Sequence, residues 1–300
     1  MCFNMDKPSV SVITITRNRG QLIGRCINSV LSQTYKNIEH IVVDGASDDE
    51  TDNVIATFND KRLHYIKLES NWPIVDTINH GFKNSHGSYI TFLDSDDEYL
   101  PTKIEEQVKL FETLPEDFGM VYCWMSYYDT ETHKHLYDHS TKLRGYVLDA
   151  AVSKPLVSGT PTFMFRRNVF EKLGGWKDVG IVNDWELGAR CCKSWKVDYV
   201  PQLLVKVYIN HGSERMSDTR PAAATYERYI KFHKYFLSEY KDVFDRSPKL
   251  AERHYYSLSL MLMSIGKWKE GFLFYKLLLK HTLKFKYFVL PTFCVFNRVK

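Results

Sequence analysis

The sequence predicts an α/β protein in which a doubly wound, mostly parallel sheet is followed by a helical C-terminal extension. Short apolar runs rich in β-branched residues alternate with amphipathic stretches over roughly the first hundred residues. This alternation is typical of parallel strands joined by right-handed crossover helices. After about Pro221 the chain changes to helical stretches rich in Tyr, Phe and Lys. We therefore expect two regions, 1–220 and 221–300.

The first predicted elements alternate regularly between strand and helix. The apolar runs predict strands at Val10–Thr16, Ile38–Val43, Leu63–Leu68 and Tyr89–Leu93. The amphipathic stretches between them predict helices at Gly20–Gln33, Glu50–Phe58 and Ile74–Asn84. Ligands of such sheets bind at the carboxyl ends of the strands, so the residues at those ends are the first candidates for a site.

The later elements extend the sheet and then add helices. The patterns predict a helix at Lys103–Thr113, a strand at Gly119–Trp124, a hairpin-like insertion ending near Leu143, a returning segment at Val157–Phe165 and a strand at Leu203–Tyr208. Helices are predicted at Tyr226–Tyr240, Pro248–Ile265 and Trp268–His281. The last two are expected to form a hairpin, with Leu258, Met261, Leu262 and Ile265 facing Phe272, Tyr275 and Leu279.

Positive charge is concentrated at the C-terminal end of the chain. The formal net charge is +4, but residues 266–300 hold eight basic side chains and one acid, Glu270. This favours an anionic membrane surface as partner over nucleic acid, because the basic excess is not spread over a groove-sized face. The aromatic run Phe285–Phe296 is too short to span a bilayer and is expected to act as an interfacial anchor.

Targeting and redox features favour the cytoplasm. The six cysteines form no Cys-x-x-Cys pair, so reduced thiols are expected rather than a zinc site or a disulfide framework. The N-terminus lacks an apolar signal segment, and no apolar run is long enough to cross a membrane. We expect a cytoplasmic protein that is peripheral at the inner face of the cell membrane.

Acidic residues crowd the ends of two predicted strands. Asp94 and Asp96 follow Tyr89–Leu93 and are themselves followed by Asp97 and Glu98. Repulsion among these carboxylates is most simply relieved by a hard divalent cation, so Mg²⁺ or Mn²⁺ is the expected cofactor. The alternative is a solvated acidic turn that begins the next helix.

Asp44 ends the second predicted strand, where a carboxylate can accept hydrogen bonds from a base or a ribose. The alternative is that it caps the next helix. The first strand ends in a polar segment that includes Thr16 and Asn18. No Gly-x-Gly-x-x-Gly follows this strand, which disfavours a nicotinamide or flavin cofactor and leaves another nucleotide-like ligand.

Asp184 and Glu186 stand at the entrance of a predicted helix. A carboxylate there can point into a cleft and draw the proton from an attacking hydroxyl, so Asp184 is the candidate general base, with Glu186 as its neighbour or as a partner for substrate hydroxyls. The alternative is an acid pair that favours the helix dipole. His211, in a polar loop after Leu203–Tyr208, is a candidate metal or phosphate ligand, with a surface histidine as the alternative.

Five separated segments carry one familiar pattern. They are Val10–Asn18, Ser29–Tyr35, Ile41–Asp49, Phe92–Asp97 and Asn183–Leu187. In this order they resemble the signature segments of the family 2 inverting glycosyltransferases with the GT-A fold, of the bacterial surface-polysaccharide type. The resemblance covers roughly residues 9–217, and its specificity comes from the agreement of all five segments.

The resemblance implies a nucleotide diphosphate sugar as donor, most often a UDP-sugar. It assigns the donor contacts to Thr14, Ile15, Thr16, Asn18, Asp44, Asp76, Asn79, Asp94 and Ser95. It also implies that Asp96 holds the metal with His211, whose loop closes over the diphosphate, and that Asp184 is the general base. Two departures are Ile15 in place of the usual proline and Asn183 in place of the acid before the base.

Three residues are expected on the acceptor side, namely Trp176, Trp185 and Glu186. Gly174-Gly175-Trp176 resembles a loop in which an aromatic ring stacks on a sugar face, and core packing is the alternative. The expected acceptor is a glycan or a lipid-linked glycan used in cell-surface polysaccharide synthesis.

Two other functions remain open. A nucleotidyltransferase also uses a doubly wound sheet with acidic metal ligands, but no Gly-rich, Lys- or Arg-bearing triphosphate loop follows the first strand. A non-catalytic carbohydrate- or membrane-binding module of the same fold would bind sugar nucleotides without turnover.

Overall fold

The computed structural model describes residues 10–156, 159–209 and 223–282. The chain divides into two compact units. The first unit comprises residues 1–147, 157–176 and 190–213, and the second comprises 148–156, 177–189 and 214–300. His211 was predicted as a metal ligand, and Phe285–Phe296 as an interfacial anchor. Both lie outside the described residues.

The first unit contains a parallel half-sheet that matches the prediction. Its strands are β1 (Val10–Thr16), β2 (Ile38–Asp44), β3 (Leu63–Lys67) and β4 (Tyr89–Phe92), in the spatial order β3-β2-β1-β4. All three neighbouring pairs are parallel. β1 and β2 are buried along nearly their whole length, as expected for parallel strands covered on both faces.

The same sheet continues with mixed pairing. Its other strands are β5 (Glu98–Tyr99), β6 (Phe118–Asp129), β7 (His135–His139), β8 (Met164–Arg166) and β9 (Lys196–Ile209). Across the described residues the order is β3-β2-β1-β4-β8-β6-β9-β5, with β7 paired to β6. β8 is antiparallel to both β4 and β6, whereas β6 and β9 are parallel. The predicted hairpin-like insertion is confirmed as the antiparallel β6–β7 pair.

The segment Val157–Phe165, predicted to pair back on the sheet, does so at its C-terminal end, where β8 is antiparallel to β4 and β6. Only its last two residues belong to β8, and residues 160–162 form a 3-10 turn that contains Pro161. Proline has no N–H for a ladder, so pairing begins after it. Val157 and Ser158 lie outside the described residues.

Eleven α-helices are found in the described part of the chain. They are α1 (Gly20–Leu31), α2 (Thr51–Ala56), α3 (Ile74–Lys83), α4 (Lys103–Thr113), α5 (Leu148–Ser153), α6 (Arg167–Leu173), α7 (Asn183–Cys191), α8 (Ala223–Glu239), α9 (Lys241–Arg246), α10 (Glu252–Ser264) and α11 (Trp268–His281). None of them is long and apolar enough to cross a membrane. The four described cysteines are buried and free.

Helices cover both faces of β1. The Thr14 hydroxyl lies 3.7 Å from the Cys26 sulfur of α1. Neighbouring Ile13 faces α3, where a Cβ on Gly81 would lie 2.7 Å from Ile13 Cγ2. Consecutive strand residues point to opposite faces, so α1 and α3 lie on opposite sides of the sheet and the predicted double winding is confirmed.

The second unit contains the predicted helical hairpin of α10 and α11. Leu258 and Leu262 of α10 are fully buried, with Phe274 of α11 packed against their cluster. Leu278 of α11 is buried against residues of α10. Tyr275 and Leu279 pack in this hairpin as predicted. Phe272 does not, because the residue is 40% exposed and Phe274 packs against α10 instead.

Candidate functional site

Three parallel strands of the first unit end at one edge of the sheet. Thr16 of β1 is in register with Asp44 of β2. On the other side of β1, the Leu93 N–H donates to the Ile13 carbonyl at 3.1 Å, which brings the segment after β4 to the same edge. The structure therefore gathers Thr16, Asp44 and Asp94 on the edge where α/β sheets bind ligands.

The two threonines of β1 have different surroundings. The Thr14 hydroxyl lies 3.0 Å from Nε2 of His40 and is fully buried, so this side chain is occupied within the core. Thr16 is at the strand end, and its buried Oγ1 has no hydrogen-bond partner among the described residues. Buried hydroxyls are normally paired, so Thr16 is the better placed of the two to receive a ligand. Ile15 between them is half-buried.

Asp44 is fully buried and held by its neighbours. Its Oδ1 accepts from the N–H and the hydroxyl of Ser47, at 3.0 and 2.6 Å. Its Oδ2 accepts from the Tyr65 hydroxyl at 2.7 Å. Burial and this hydrogen bond raise the pKa of Tyr65, which keeps the phenol protonated as a donor. A carboxylate has about four acceptor positions, so Asp44 can fix its own turn and accept one further hydrogen bond.

The loops after β1 and β2 are tied together. Asn18 donates from its backbone N–H to Ser47 Oγ at 2.8 Å, and its side-chain oxygen accepts from the Asp48 N–H at 3.1 Å. Asn18 and Ala46 both have left-handed backbones, with φ of 51° and 61°. A left-handed alanine is strained, and such strain clusters at functional sites.

The acidic segment after β4 is partly buried. Asp94 is exposed, whereas Ser95, Asp96 and Asp97 are buried. Burial raises the pKa of the Cys26 thiol, and the nearby charges of Asp97, Asp96 and Asp94 raise it further. All three carboxylates thus lie close enough to act electrostatically on the Cys26 thiol.

The oxygen chemistry of this segment fits a hard divalent cation, but the described residues form no complete metal site. Among them, no three His, Cys, Asp or Glu side chains converge on a possible ion. Mg²⁺ usually takes one or two protein carboxylates and completes its shell with waters and phosphate oxygens. Asp96 and its neighbours fit that partial role.

The first turn of α3 contributes Asp76, whose side chain is exposed. Asn79, three residues further along the same helix and also a predicted donor contact, forms its hydrogen bonds with the Trp176 loop of the same unit. Its side-chain oxygen accepts from the Trp176 N–H at 2.9 Å, and its nitrogen donates to the Trp176 carbonyl at 3.0 Å. Asn79 therefore fixes the loop at Trp176 rather than presenting a free amide.

The Trp176 ring is packed in the core of the first unit. It meets Phe92 edge-on at 5.2 Å between centroids, and only 6% of the residue is exposed. Its indole Nε1 is buried without a hydrogen-bond partner in the described residues. This placement agrees with the core-packing alternative for the ring and leaves one polar atom for a ligand.

Asp184 belongs to the second unit and is half-buried at the start of α7. Burial raises the pKa of its carboxyl above the ordinary value. Val182, two residues before it, has a φ of 52°. A β-branched residue with a left-handed backbone is a clear outlier, so strain is stored close to the candidate base.

Trp185 and Glu186 lie inside the second unit. The Trp185 indole donates to the Ala151 carbonyl at 2.6 Å, and its ring packs at 5.2 Å from Phe236. Glu186 is fully buried and accepts from the Tyr235 hydroxyl at 3.2 Å. Neither side chain presents the open surface that the predicted acceptor role needs, so Asp184 alone remains well placed in this segment.

Two residues at the acidic segment were not predicted. Arg25 donates from Nη2 to the Asp96 carbonyl oxygen. The Tyr208 N–H donates to Asp97 Oδ1 at 3.0 Å, and its hydroxyl donates to Glu98 at 2.9 Å. An arginine on an amphipathic helix and a tyrosine in a strand carry no sequence signal for these contacts.

Comparison with known proteins supports one family. The sequence profile described as Glycosyl transferase family 2 matches residues 11–174. An uncharacterized glycosyltransferase of Rickettsia typhi is 36% identical over 130 residues, which cover 43% of this chain and 40% of that protein. The chain thus matches about two fifths of the length of this relative.

Two Escherichia coli proteins are also similar. The putative colanic acid biosynthesis glycosyl transferase WcaA of strain K12 is 27% identical over 264 residues, which cover 81% of this chain and 85% of WcaA. UDP-Glc:alpha-D-GlcNAc-diphosphoundecaprenol beta-1,3-glucosyltransferase WfaP is 40% identical over 104 residues, which cover 35% of this chain and 41% of WfaP.

The fold matches solved structures. The crystal structure of Staphylococcus aureus TarS 1-349 in complex with UDP-GlcNAc superposes with a TM-score of 0.65 at 15% identity, and covers 97% of this chain and 89% of that one. The predicted GT-A fold is confirmed by this likeness and by the profile match. Because the profile matches more than half of the chain, the protein belongs to glycosyl transferase family 2.

Proposed function

We propose that this protein transfers a sugar from a nucleotide diphosphate donor to an acceptor hydroxyl with inversion at the anomeric carbon. The observation that carries the proposal is the edge of the first unit, where the unpartnered Thr16 hydroxyl lies in register with Asp44. A nucleoside offers hydroxyl and N–H groups that suit these acceptors. UDP is the proposed nucleotide, and the TarS–UDP-GlcNAc and WfaP likenesses support it.

The proposed metal is Mg²⁺ or Mn²⁺, held by Asp96 with Asp94 nearby. When bound, such an ion neutralises charge on the diphosphate leaving group. The chain itself positions this segment through Arg25 and Tyr208, and Asp44 orients the nucleotide base. His211, outside the described residues, is proposed as a further ligand.

Asp184 is the proposed general base. Its raised pKa makes it a stronger proton acceptor than an exposed aspartate, which suits the removal of a proton from a sugar hydroxyl. Attack from the face opposite the leaving diphosphate gives inversion. The strained Val182 and the side chain of Asn183, which accepts from the Val179 N–H at 3.3 Å, shape the loop that presents this base.

The proposed acceptor is a lipid-linked glycan in cell-surface polysaccharide synthesis. The similarity to WcaA, a putative colanic acid biosynthesis glycosyl transferase, and to WfaP, a glucosyltransferase acting on a diphosphoundecaprenol-linked sugar, supports this pathway and this class of acceptor. We assign the catalytic function to residues 1–220 and place the protein at the cytoplasmic face of the membrane, with the basic tail as one contact.

A donor screen tests the proposal directly. The full chain is incubated with UDP-, GDP- and dTDP-sugars with Mn²⁺ or Mg²⁺, and products are identified by mass. We expect release of a nucleoside diphosphate, and transfer when a polyprenyl diphosphate sugar is added. Release of pyrophosphate from a nucleoside triphosphate and sugar phosphate would instead show a nucleotidyltransferase, and donor binding without any turnover would show a binding module.

A further inference from the structure

The outward face of α11 combines apolar and basic side chains. Phe272 and Leu273 are 40% and 56% exposed, whereas the other large apolar residues described in the second unit are buried or half-buried. Three exposed lysines flank them, at positions 269, 276 and 280. Residues spaced by three, four, seven and eleven lie on one side of a helix, so these five side chains form a single face.

The orientation of this face is fixed by close packing on the other side of the helix. A Cβ on Gly271 would lie 2.7 Å from Met263 Cγ of α10, which shows how closely the two helices approach. Leu278 is fully buried on the same inward side. These two contacts fix the rotation of α11 about its own axis. Phe272 and Leu273 therefore face away from α10.

The face carries no acid to neutralise its lysines. The one acid of α11, Glu270, lies about a quarter turn from Lys269 and forms an ion pair with Lys234 of α8 at 2.5 Å. Lys269, Lys276 and Lys280 form no ion pair among the described residues. The positive charge of the face is therefore available to an anionic partner.

We infer that the Lys269–Phe272–Leu273–Lys276–Lys280 face of α11 docks on the surface of an anionic lipid bilayer. Lysines around exposed Phe and Leu are the composition of interfacial helices, where the rings and aliphatic groups enter the acyl boundary and the ammonium groups meet lipid phosphates. Protein interfaces, by contrast, are depleted in lysine at their centres. A helix of 14 residues is about 21 Å long, so it lies along the interface rather than across it.

The three lysines set the expected strength of membrane binding. A lysine near an anionic membrane surface strengthens partition by about fivefold, so the three together contribute on the order of a hundredfold. Added salt screens this attraction. The inference goes beyond the proposed activity and differs from the tail anchor, because it places a membrane contact within a packed helix.

Vesicle co-sedimentation of the full chain tests the inference. Vesicles of phosphatidylcholine alone are compared with vesicles that also contain phosphatidylglycerol, at low and high salt. We expect binding to the mixed vesicles, weakened by salt. We expect the K269Q/K276Q/K280Q and F272S/L273S variants each to bind at least tenfold more weakly, with the tail intact.

The matched control is Leu136→Ser on β7, a leucine that is 41% exposed in the first unit. It should bind as the unaltered protein does, and all variants should unfold at the same temperature because the changed groups are exposed. Two results would overturn the inference: vesicle binding that is unchanged in both α11 variants, or an F272S/L273S variant that loses self-association in the absence of vesicles. The assay needs no turnover, so it is independent of the proposed activity.

Discussion

The guanidinium carbon of Arg25 lies 3.6 Å from the ring centroid of Tyr208. The two residues come from α1 and β9 of the first unit, and each also bonds to the acidic segment, through the Asp96 carbonyl and the Asp97 carboxylate. Stacked arginine and tyrosine attract each other through the ring quadrupole. This pair fixes the segment in place and sets one positive charge beside its acids.

Arg25→Gln should weaken donor and metal binding more than turnover. The change removes the charge and the stack, so the acidic segment loses both its anchor and part of its electrostatic balance. We expect the KM for the donor and the Mn²⁺ concentration for half-activity to rise roughly tenfold, of the order of a lost charge-assisted hydrogen bond. Steady-state kinetics over donor and metal concentrations measure both.

Arg25→Lys is the conservative comparison. Lysine restores the positive charge but has no planar group to stack on Tyr208. We therefore expect the Mn²⁺ concentration for half-activity to return part of the way to that of the unaltered protein. If Arg25→Gln lowers only the unfolding temperature and leaves both constants unchanged, the pair is merely structural.

Asp184→Asn should abolish turnover while the protein still binds its donor. Loss of a general base typically costs 10²–10⁴-fold in rate, and the residues proposed to bind the donor belong to the first unit. Because burial raises the pKa of Asp184, the acidic limb of the pH–rate profile should lie above the range of an exposed aspartate. Donor-turnover assays across pH, with nucleotide binding by calorimetry, check both expectations.

The same substitution should raise thermal stability at neutral pH. A carboxyl whose pKa is higher in the folded than in the unfolded chain costs stability above that pKa, and asparagine removes this cost. The control is Asp149→Asn, an exposed acid of the same unit, which should change neither rate nor unfolding temperature. An active Asp184→Asn enzyme would exclude Asp184 as the base.

The strands were predictable because their composition and burial agree. β1 matches its predicted limits, and the Val and Ile runs of β1 and β2 are buried on both faces, so one pattern specified both strand and core. Asp44 was predictable for the same reason, since it ends such a run. The short helices α5, α6 and α9 have only six or seven residues, too few for a helical period to stand out.

The outward direction of Phe272 and the tertiary contacts of Arg25 were not predictable from local pattern. Phe272 and Phe274 lie two residues apart on one helix, and the close approach at Gly271 decides which of them faces α10. Arg25 reads as a surface residue of α1. Its role depends on Tyr208, far along the chain, and no sequence spacing encodes that contact.

Two buried histidines of the second unit should make stability fall in mild acid. His254 Nε2 lies 2.8 Å from the Val152 carbonyl, so it carries a proton, and its Nδ1 therefore accepts from His233 Nδ1 at 2.9 Å. Burial, with the charge of Arg253, lowers the pKa of His254 to about 4 and that of His233 well below its ordinary value. Both rings are neutral in the folded chain.

Proton uptake by the unfolded chain makes the stability fall as the pH decreases. Below a pH of about 6.5 the unfolded chain binds protons that the folded chain does not, so stability falls on the order of 1–2 kcal/mol per pH unit until about pH 4. The His233→Gln/His254→Gln double variant should show a shallower slope in denaturant unfolding between pH 6.5 and 4.5. His135→Gln, an exposed histidine of β7, should keep the full slope.

Lys103→Met should stabilise the protein at neutral pH. Lys103 is fully buried in the first unit, where Nζ donates to Thr91 Oγ1 at 2.6 Å and lies 4.0 Å from the Tyr99 ring centroid. It forms no ion pair with any carboxylate of the described residues. Burial lowers the pKa of this lysine from 10.5 to about 7. At pH 7 and below, folding therefore takes a charge out of water, and only a hydroxyl and an aromatic ring, with no carboxylate, compensate for its desolvation.

The lowered pKa gives the pH dependence of the gain. The cost of the buried charge is fully present below pH 7 and disappears as the pH rises towards 10.5, because the folded lysine is then neutral while the unfolded one is still charged. Lys103→Met should raise the free energy of unfolding on the order of 1–4 kcal/mol at pH 6–7, and the gain should shrink towards pH 10. Lys109→Met on the same helix, exposed and paired with Glu105, should leave stability almost unchanged at every pH. A Lys103→Met variant that is less stable at pH 6–7 would show that the hydrogen bond to Thr91 outweighs the desolvation of the charge.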